Sequence, residues 1–207
     1  FQEKREEVRA AALETIEEGA RALLAEAGAA PSRVLKTVIV GNPIMIHILN
    51  GIDPWQLTLV PYLPATAAAL RSRPAEFGWT FQERGYVETL PLVSAYVGAD
   101  TVGMIVSLGL EGEHKTTLSI DIGTNGEMVL ARDGELITTS TAAGPAFEGA
   151  EISCGMRALE GAVTGVSFDA TGAPRCAVVG GGRPRGICGT GLVSAVAALL
   201  DRGVIDA

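Results

Sequence analysis

The chain has 207 residues, 47% of them apolar, which is enough to bury a substantial core in one large domain or two small ones. Its net charge of -8 argues against a nucleic-acid or anionic-membrane surface, because neither attracts an acidic protein. No apolar run reaches the roughly 18 residues that span a bilayer, the N-terminus lacks a signal-peptide pattern, and the 3 cysteines share no Cys-x-x-Cys spacing, so a reduced cytoplasmic setting is expected rather than a disulfide framework.

The chain opens on Phe1 without an initiator Met and stops just after a predicted helix, so a piece of a longer protein is expected. Residues 2 to about 28 read as a packing helix, with Val8, Ala12, Ile16, Ala20 and Leu23 or Leu24 at three-to-four-residue spacing and Glu17 and Arg21 paired at i,i+4. Val34 to Val40 predicts a short buried strand. Gly41-Asn42-Pro43 stops it and opens a helix through Asn50, with Pro43 suited to the first turn. Residues 51–86 hold four prolines and both tryptophans without sustained periodicity, which predicts an irregular connection with one short helix near Ala65 to Arg71. Tyr86 to Leu90 predicts a strand, and Val93 to Leu110 a helix in which Gly98 and Gly103 mark close packing or a hinge. A boundary follows at Glu111 to Lys115.

Beyond it the pattern turns to strands. Asp133-Gly134 between two apolar runs is a two-residue hairpin signal. Ala146 to Leu159 reads as helical, Ala162 to Phe168 and Arg175 to Val179 as strands joined through Asp169 to Gly172, and Thr190 to Arg202 as a helix stopped by Gly203.

Residues Leu118 to Glu127, Leu-Ser-Ile-Asp-Ile-Gly-Thr-Asn-Gly-Glu, carry the most chemistry. Alternation along a strand turns Leu118, Ile120 and Ile122 toward a core and Asp121 away from it. The turn Gly123-Thr124-Asn125-Gly126 can bend without a Cβ penalty and direct N–H groups at an anion, a combination that suits a Mg-nucleotide with Asp121 as metal ligand. A hairpin turn with a solvated acid satisfies the same pattern. Gly186-Ile-Cys-Gly-Thr-Gly191 precedes the last helix, so Gly186, Gly189, Thr190 and Gly191 are candidates for cradling phosphate at its N-terminus, or Thr190 is simply its N-cap. Arg183 and Arg185 lie just upstream. Glu148 either orients water or Mg opposite Asp121 or sits at a helix start interacting with its dipole. Walker A, GxSxG, HExxH and zinc-ligand patterns do not match. His47 among Ile44, Met45, Ile46, Ile48 and Leu49 reads as a hydrogen-bonded packing histidine, and Cys154, Cys176 and Cys188 as small buried residues.

Five segments in order resemble the ATP-dependent reductive activators of corrinoid proteins, within the actin-like ATPase superfamily of actin, acetate and sugar kinases and heat-shock chaperones. They are residues 38–47, 90–100, 119–127, 143–150 and 186–192. The resemblance implies an α/β, ribonuclease-H-like actin-type ATPase fold holding parts of two subdomains. Residues 1–112 would be the remainder of the first with a connecting region, and 113–207 the start of the second. Asp121 to Gly126 would match the second phosphate loop, with Asp121 and Glu148 catalytic and ATP and Mg2+ as cofactors. It also implies that ATP drives an electron onto a corrinoid protein or corrinoid iron-sulfur protein, Co(II) to Co(I), from a 2Fe-2S cluster expected only in a missing N-terminal domain. The first phosphate loop and the adenosine segment of the family pattern are absent, so ATPase activity is expected of the intact protein rather than of this length alone. A small-molecule kinase of the same fold, a noncatalytic docking scaffold and a homodimer are compatible with the same residues.

Overall fold

The computed structural model describes residues 2–145, 149 and 152–206. The chain divides into two units, residues 1–119 with 128–139, and residues 120–127 with 140–207.

In the first unit, α1 (Gln2–Glu26) leads to β1 (Lys36–Ile39), α2 (Pro43–Leu49), β2 (Leu70–Ser72), β3 (Tyr86–Thr89) and α3 (Ala99–Leu108), with short 3-10 turns at Pro54–Thr58 and Pro74–Phe77. The sheet runs β1-β3-β2, with β1 parallel and β2 antiparallel to β3. Its core gathers Leu49, Phe77, Trp79, Phe81 and Val87, against which Leu13, Ile16, Ala20 and Leu24 of α1 pack. The aromatic rings at 77 and 79 stack at 4.7 Å, and the Trp79 indole N–H donates to Leu13 O at 3.1 Å. The α1 stripe therefore uses Leu13 and Leu24, while Val8 and Leu23 are exposed.

Glu17 is the polar weld between α1 and the following aromatic segment. Its carboxylate accepts from Thr80 N at 3.0 Å, Thr80 Oγ1 at 2.6 Å and Arg21 Nε at 2.6 Å, and Arg21 also donates to Thr80 Oγ1. Desolvation pushes this carboxyl's pKa up, but hydrogen bonds from Thr80, Arg21 and Phe81 outweigh it and hold it at about 2 against an ordinary 4.5. A depressed folded pKa stabilises above the unfolded value and is lost as pH falls through the folded one. Glu17→Gln is expected to cost on the order of 1–2 kcal/mol at pH 7, below full linkage because the side chain retains 20% exposure. Denaturant titrations at pH 7 and pH 3 check this: the gap between wild type and variant should narrow at the lower pH, and a constant gap would contradict it.

Asn42 caps α2 by accepting from Met45 N at 2.9 Å, as the Gly-Asn-Pro sequence predicts. The helix expected near Ala65 to Arg71 is absent. Ala65 N–H instead donates to His47 Nε2 at 3.1 Å, Ala67 O accepts from Leu92 N–H at 2.9 Å, and residues 70–72 pair with β3. The strand at β1 is half-buried rather than buried, with Val38 and Val40 exposed. The helix expected from Val93 starts only at Ala99. Gly98 is its N-cap, where a Cβ would lie 2.7 Å from Gly41 O and 2.8 Å from Asn42 Cα, and a Cβ at Gly103 would sit 3.1 Å from Val40 Cγ1. Both glycines serve close packing.

Strands β4 (Thr117–Ile122), β5 (Asn125–Arg132) and β6 (Glu135–Ala142) form a sheet in that order. Asp133 at φ 50° and Gly134 at φ 79° make the predicted two-residue turn. Val129 and Ala131 of β5 pack with Ile105 and Leu110.

The second unit adds β7 (Ala162–Phe168), β8 (Pro174–Val178), β9 (Gly186–Ile187) and α4 (Gly189–Asp201). Strand β7 is central, antiparallel to β8 and parallel to β9. Helix α4 lies on β7, where the Ser194 hydroxyl donates to Val166 O at 3.1 Å and accepts from Val166 N–H at 2.9 Å. Asp169 closes the β7–β8 turn by accepting from Thr171 and Ala173 N–H, both at 3.0 Å. Residues 152–159 form turns and a bridge from Gly155 to Ile187 instead of the expected helix.

Candidate functional site

Strand β4 ends at Ile122, the chain turns through Gly123 and Thr124, and β5 begins at Asn125. The alternation holds, but the expected core does not: Leu118, Ile120 and Ile122 are all exposed. Asp121, offset from that row, is exposed as well. Thr124 O accepts from Ala143 N at 3.1 Å and Gly144 N at 2.9 Å, which ties the turn to the end of β6. The Gly123 N–H donates to Asn125 O at 3.0 Å, so that amide is engaged within the turn. Thr124 and Asn125 are exposed, whereas Gly126 is buried, with space for a Cβ only 3.4 Å from Thr141 Cγ2. Behind the turn, the Ser140 hydroxyl donates to Glu127 at 3.0 Å.

The second glycine segment builds the start of α4. Cys188, not Thr190, occupies the N-cap position, and its thiol contacts Val163 O and Thr190 Oγ1, each at 3.2 Å. The Thr190 hydroxyl lowers the thiol's pKa, burial opposes that, and the Gly191 and Thr190 amides add to the lowering. Gly191 is a close-approach position, since a Cβ there would fall 2.0 Å from Val163 O. Gly186 is another, with Cys154 O at 2.6 Å. Gly191 lets α4 seat against β7 and Gly186 lets β9 seat against residues 154 and 156, leaving Thr190 exposed at the helix start.

The first segment reaches the second only through Ile122: Asp121, Gly123, Thr124, Asn125, Gly126, Gly186 and Gly191 are not among the residues that line the space at the start of α4. Ile122, Gly189, Thr190, Val193, Ser194 and Ala197 line one cavity of about 510 Å3, within the range of small-molecule sites. Val193 reads from the sequence as part of the apolar stripe of this helix and Ser194 as the residue after its glycine run, neither as a site residue, and Ala197 carries no signal of its own. Glu148 lies outside the described residues. Arg183 and Arg185 are exposed, and the Arg185 side chain lies over Gly161. His47 is a packing residue as expected: Nε2 accepts from Ala65 N–H, so Nδ1–H donates to Pro43 O at 2.6 Å. Cys154 and Cys176 are exposed, contrary to expectation, and Cys188 is buried. Among the described residues no group of three or more His, Cys, Asp or Glu side chains could by itself hold a metal ion, and no helix is long and apolar enough to cross a membrane.

Comparison with known proteins gives the family. Residues 1–113 match the family described as the RACo middle region, and residues 115–207 match the C-terminal domain of RACo, the ASKHA domain. The chain belongs to the RACo family. Its fold is accordingly the ASKHA, or actin-like ATPase, fold in mixed α/β form. The corrinoid activation enzyme RamQ of Eubacterium limosum is 34% identical over 195 residues, covering 94% of this chain and 32% of that protein. A [Co(II) methylated amine-specific corrinoid protein] reductase of Methanosarcina barkeri is 31% identical over 144 residues, 65% of this chain and 27% of that protein. A solved structure titled reductive activator for corrinoid,iron-sulfur protein superposes with a TM-score of 0.83 at 40% identity, covering 98% of this RACo chain and 32% of that one. The chain thus spans about a third of the length of the relatives it matches.

Proposed function

We propose that this chain is the middle region and part of the nucleotide-binding domain of a reductive activator, in which ATP binding and hydrolysis drive one electron onto the cobalt of a corrinoid protein, Co(II) to Co(I). The observation that carries this reading is the shared cavity: the end of the Asp121 strand and the start of α4 face one space, in a chain of the RACo family. Asp121 would ligate Mg2+ and Thr190 with the first α4 amides would receive phosphate oxygens. Mg2+ is ordinarily held by one or two carboxylates together with nucleotide phosphates and water, a role that a single exposed aspartate can share. Bound Mg2+ neutralises charge developing on the phosphoryl group. Gly123 N–H, engaged within its turn, and the Thr190 and Gly191 amides, engaged with the Cys188 thiol, would have to exchange partners to join.

The electron would come from a 2Fe-2S domain outside this chain. Reduction of Co(II) is uphill, so nucleotide must interact differently with two states of the activator, and corrinoid protein must bind those states unequally.

The test uses the full-length protein, its reductant and Co(II) corrinoid protein, with cobalt followed by absorbance. Co(I) should accumulate with ATP and not with a nonhydrolysable analogue. ATP-independent reduction, or phosphoryl transfer to a sugar or acyl acceptor without any cobalt change, would overturn the proposal.

A further inference from the structure

Residues 54–70 and 89–99 contain no Asp, Glu, Lys or Arg, in a chain where 19% of residues are charged. The fold brings these segments together within the first unit. Leu92 N–H donates to Ala67 O, and the Tyr62 and Tyr96 rings meet with centroids 5.7 Å apart. Within three residues of these tyrosines along the chain, Leu59, Val60, Leu63 and Val93 are also exposed, the six side chains ranging from 40% to 78%.

This exposure is built rather than frayed. Leu57, Leu92 and Val97 are buried and flank the exposed residues along the chain. Val97 O accepts from Val93 N–H at 3.0 Å and Ser94 N–H at 3.1 Å, which closes the 93–97 loop. His47, fully enclosed, holds Ala65 through its Nε2. Tyr62 sits at φ 60°, a left-handed conformation uncommon for an aromatic residue and kept only where its surroundings fix it.

We propose that this uncharged cluster is the docking face for the corrinoid protein, a transient partner meeting it with an apolar patch of its own. The assignment rests on the activator reading above. Six such side chains about half exposed offer on the order of 500 Å2, more than scattered surface residues and in the range of functional patches. A stable copy-to-copy interface needs about 800 Å2 or more on each side, so the area suits a partner that must leave after each electron. Paired tyrosines give a large contact at low entropic cost, which is the composition of binding hot spots. With no charge in either segment, recognition here is neither nucleic-acid-like nor steered by ions.

The test measures calorimetric affinity of the full-length protein for the Co(II) corrinoid protein of the same organism, beside Val60→Asp and Tyr96→Asp variants. Each variant should bind at least about tenfold more weakly with ATP turnover unchanged, and wild-type affinity should move less than about threefold between roughly 50 and 500 mM salt. Wild-type binding that both variants retain overturns the docking face and leaves the activator reading standing. Variants that dissociate a homodimer in sedimentation while retaining affinity overturn it in favour of a second copy. Wild type that neither binds the corrinoid protein nor reduces its cobalt overturns the activator reading, and this face with it.

Discussion

Asp121→Ala in the intact protein is expected to lower ATP turnover by at least about a hundredfold while binding of the corrinoid protein persists. The side chain is exposed at the end of β4 and alternates to the face opposite Ile122, which lines the cavity with Thr190, so Asp121 would have to reach a metal there around the strand end at the Gly123 turn. An exposed carboxylate at a strand end contributes little to folding, so a loss of turnover would reflect chemistry rather than collapse. Asp121→Asn sharpens the point, because it keeps the shape and removes the charge that Mg2+ requires. Phosphate release and partner affinity, measured on the same samples, check the prediction. Turnover unchanged in both variants would remove Asp121 from the mechanism, and partner binding lost together with turnover would point to misfolding.

Gly191→Ala is expected to destabilise the second unit by roughly 3 kcal/mol or more. The added methyl would lie 2.0 Å from Val163 O and 2.9 Å from Ile187 Cγ1. The first obstacle is backbone of a central strand, which cannot rotate aside as a side chain can. Relief requires α4 to lift from β7, at the expense of the Ser194 bonds to both backbone groups of Val166. Thr190→Ala, one residue earlier and exposed, is the matched control and should cost under about 1 kcal/mol, mostly the hydroxyl contact to Cys188. Chemical denaturation of the two variants, monitored by a probe in the second unit, separates them. Equal stability would mean that α4 tolerates displacement and that the close approach is not what positions Thr190.

What the sequence made legible was local. The Asp-Gly pair demands a positive φ at two residues and receives it, Asn42-Pro43 supplies a cap and a first turn, and Gly203 at φ 64° stops α4. The readings that failed were decided by distant partners. Alanines at 65 and 67–69 favour a helix by propensity, yet Leu92 N–H takes the Ala67 carbonyl that a helix would need and residues 70–72 pair with β3. The stretch from Val93 reads as helical until Gly98 meets Gly41 and Asn42, a contact invisible to periodicity. Leu118, Ile120 and Ile122 carry the pattern of a core strand without the cover. At the site, both glycine segments were recognisable as sequence, and the fold brings Ile122 of the first strand to Gly189 and Thr190 at the start of α4. Cys188 as the helix cap had no signal, because cysteine is not among the usual capping residues.

The uncovered row on β4 has a thermal consequence. Water held against branched side chains is released with little enthalpy change near room temperature, so the drive to cover that row weakens on cooling. Whatever closes over this strand will therefore grip more loosely in the cold and more firmly on moderate warming, a dependence opposite to that of a polar seam.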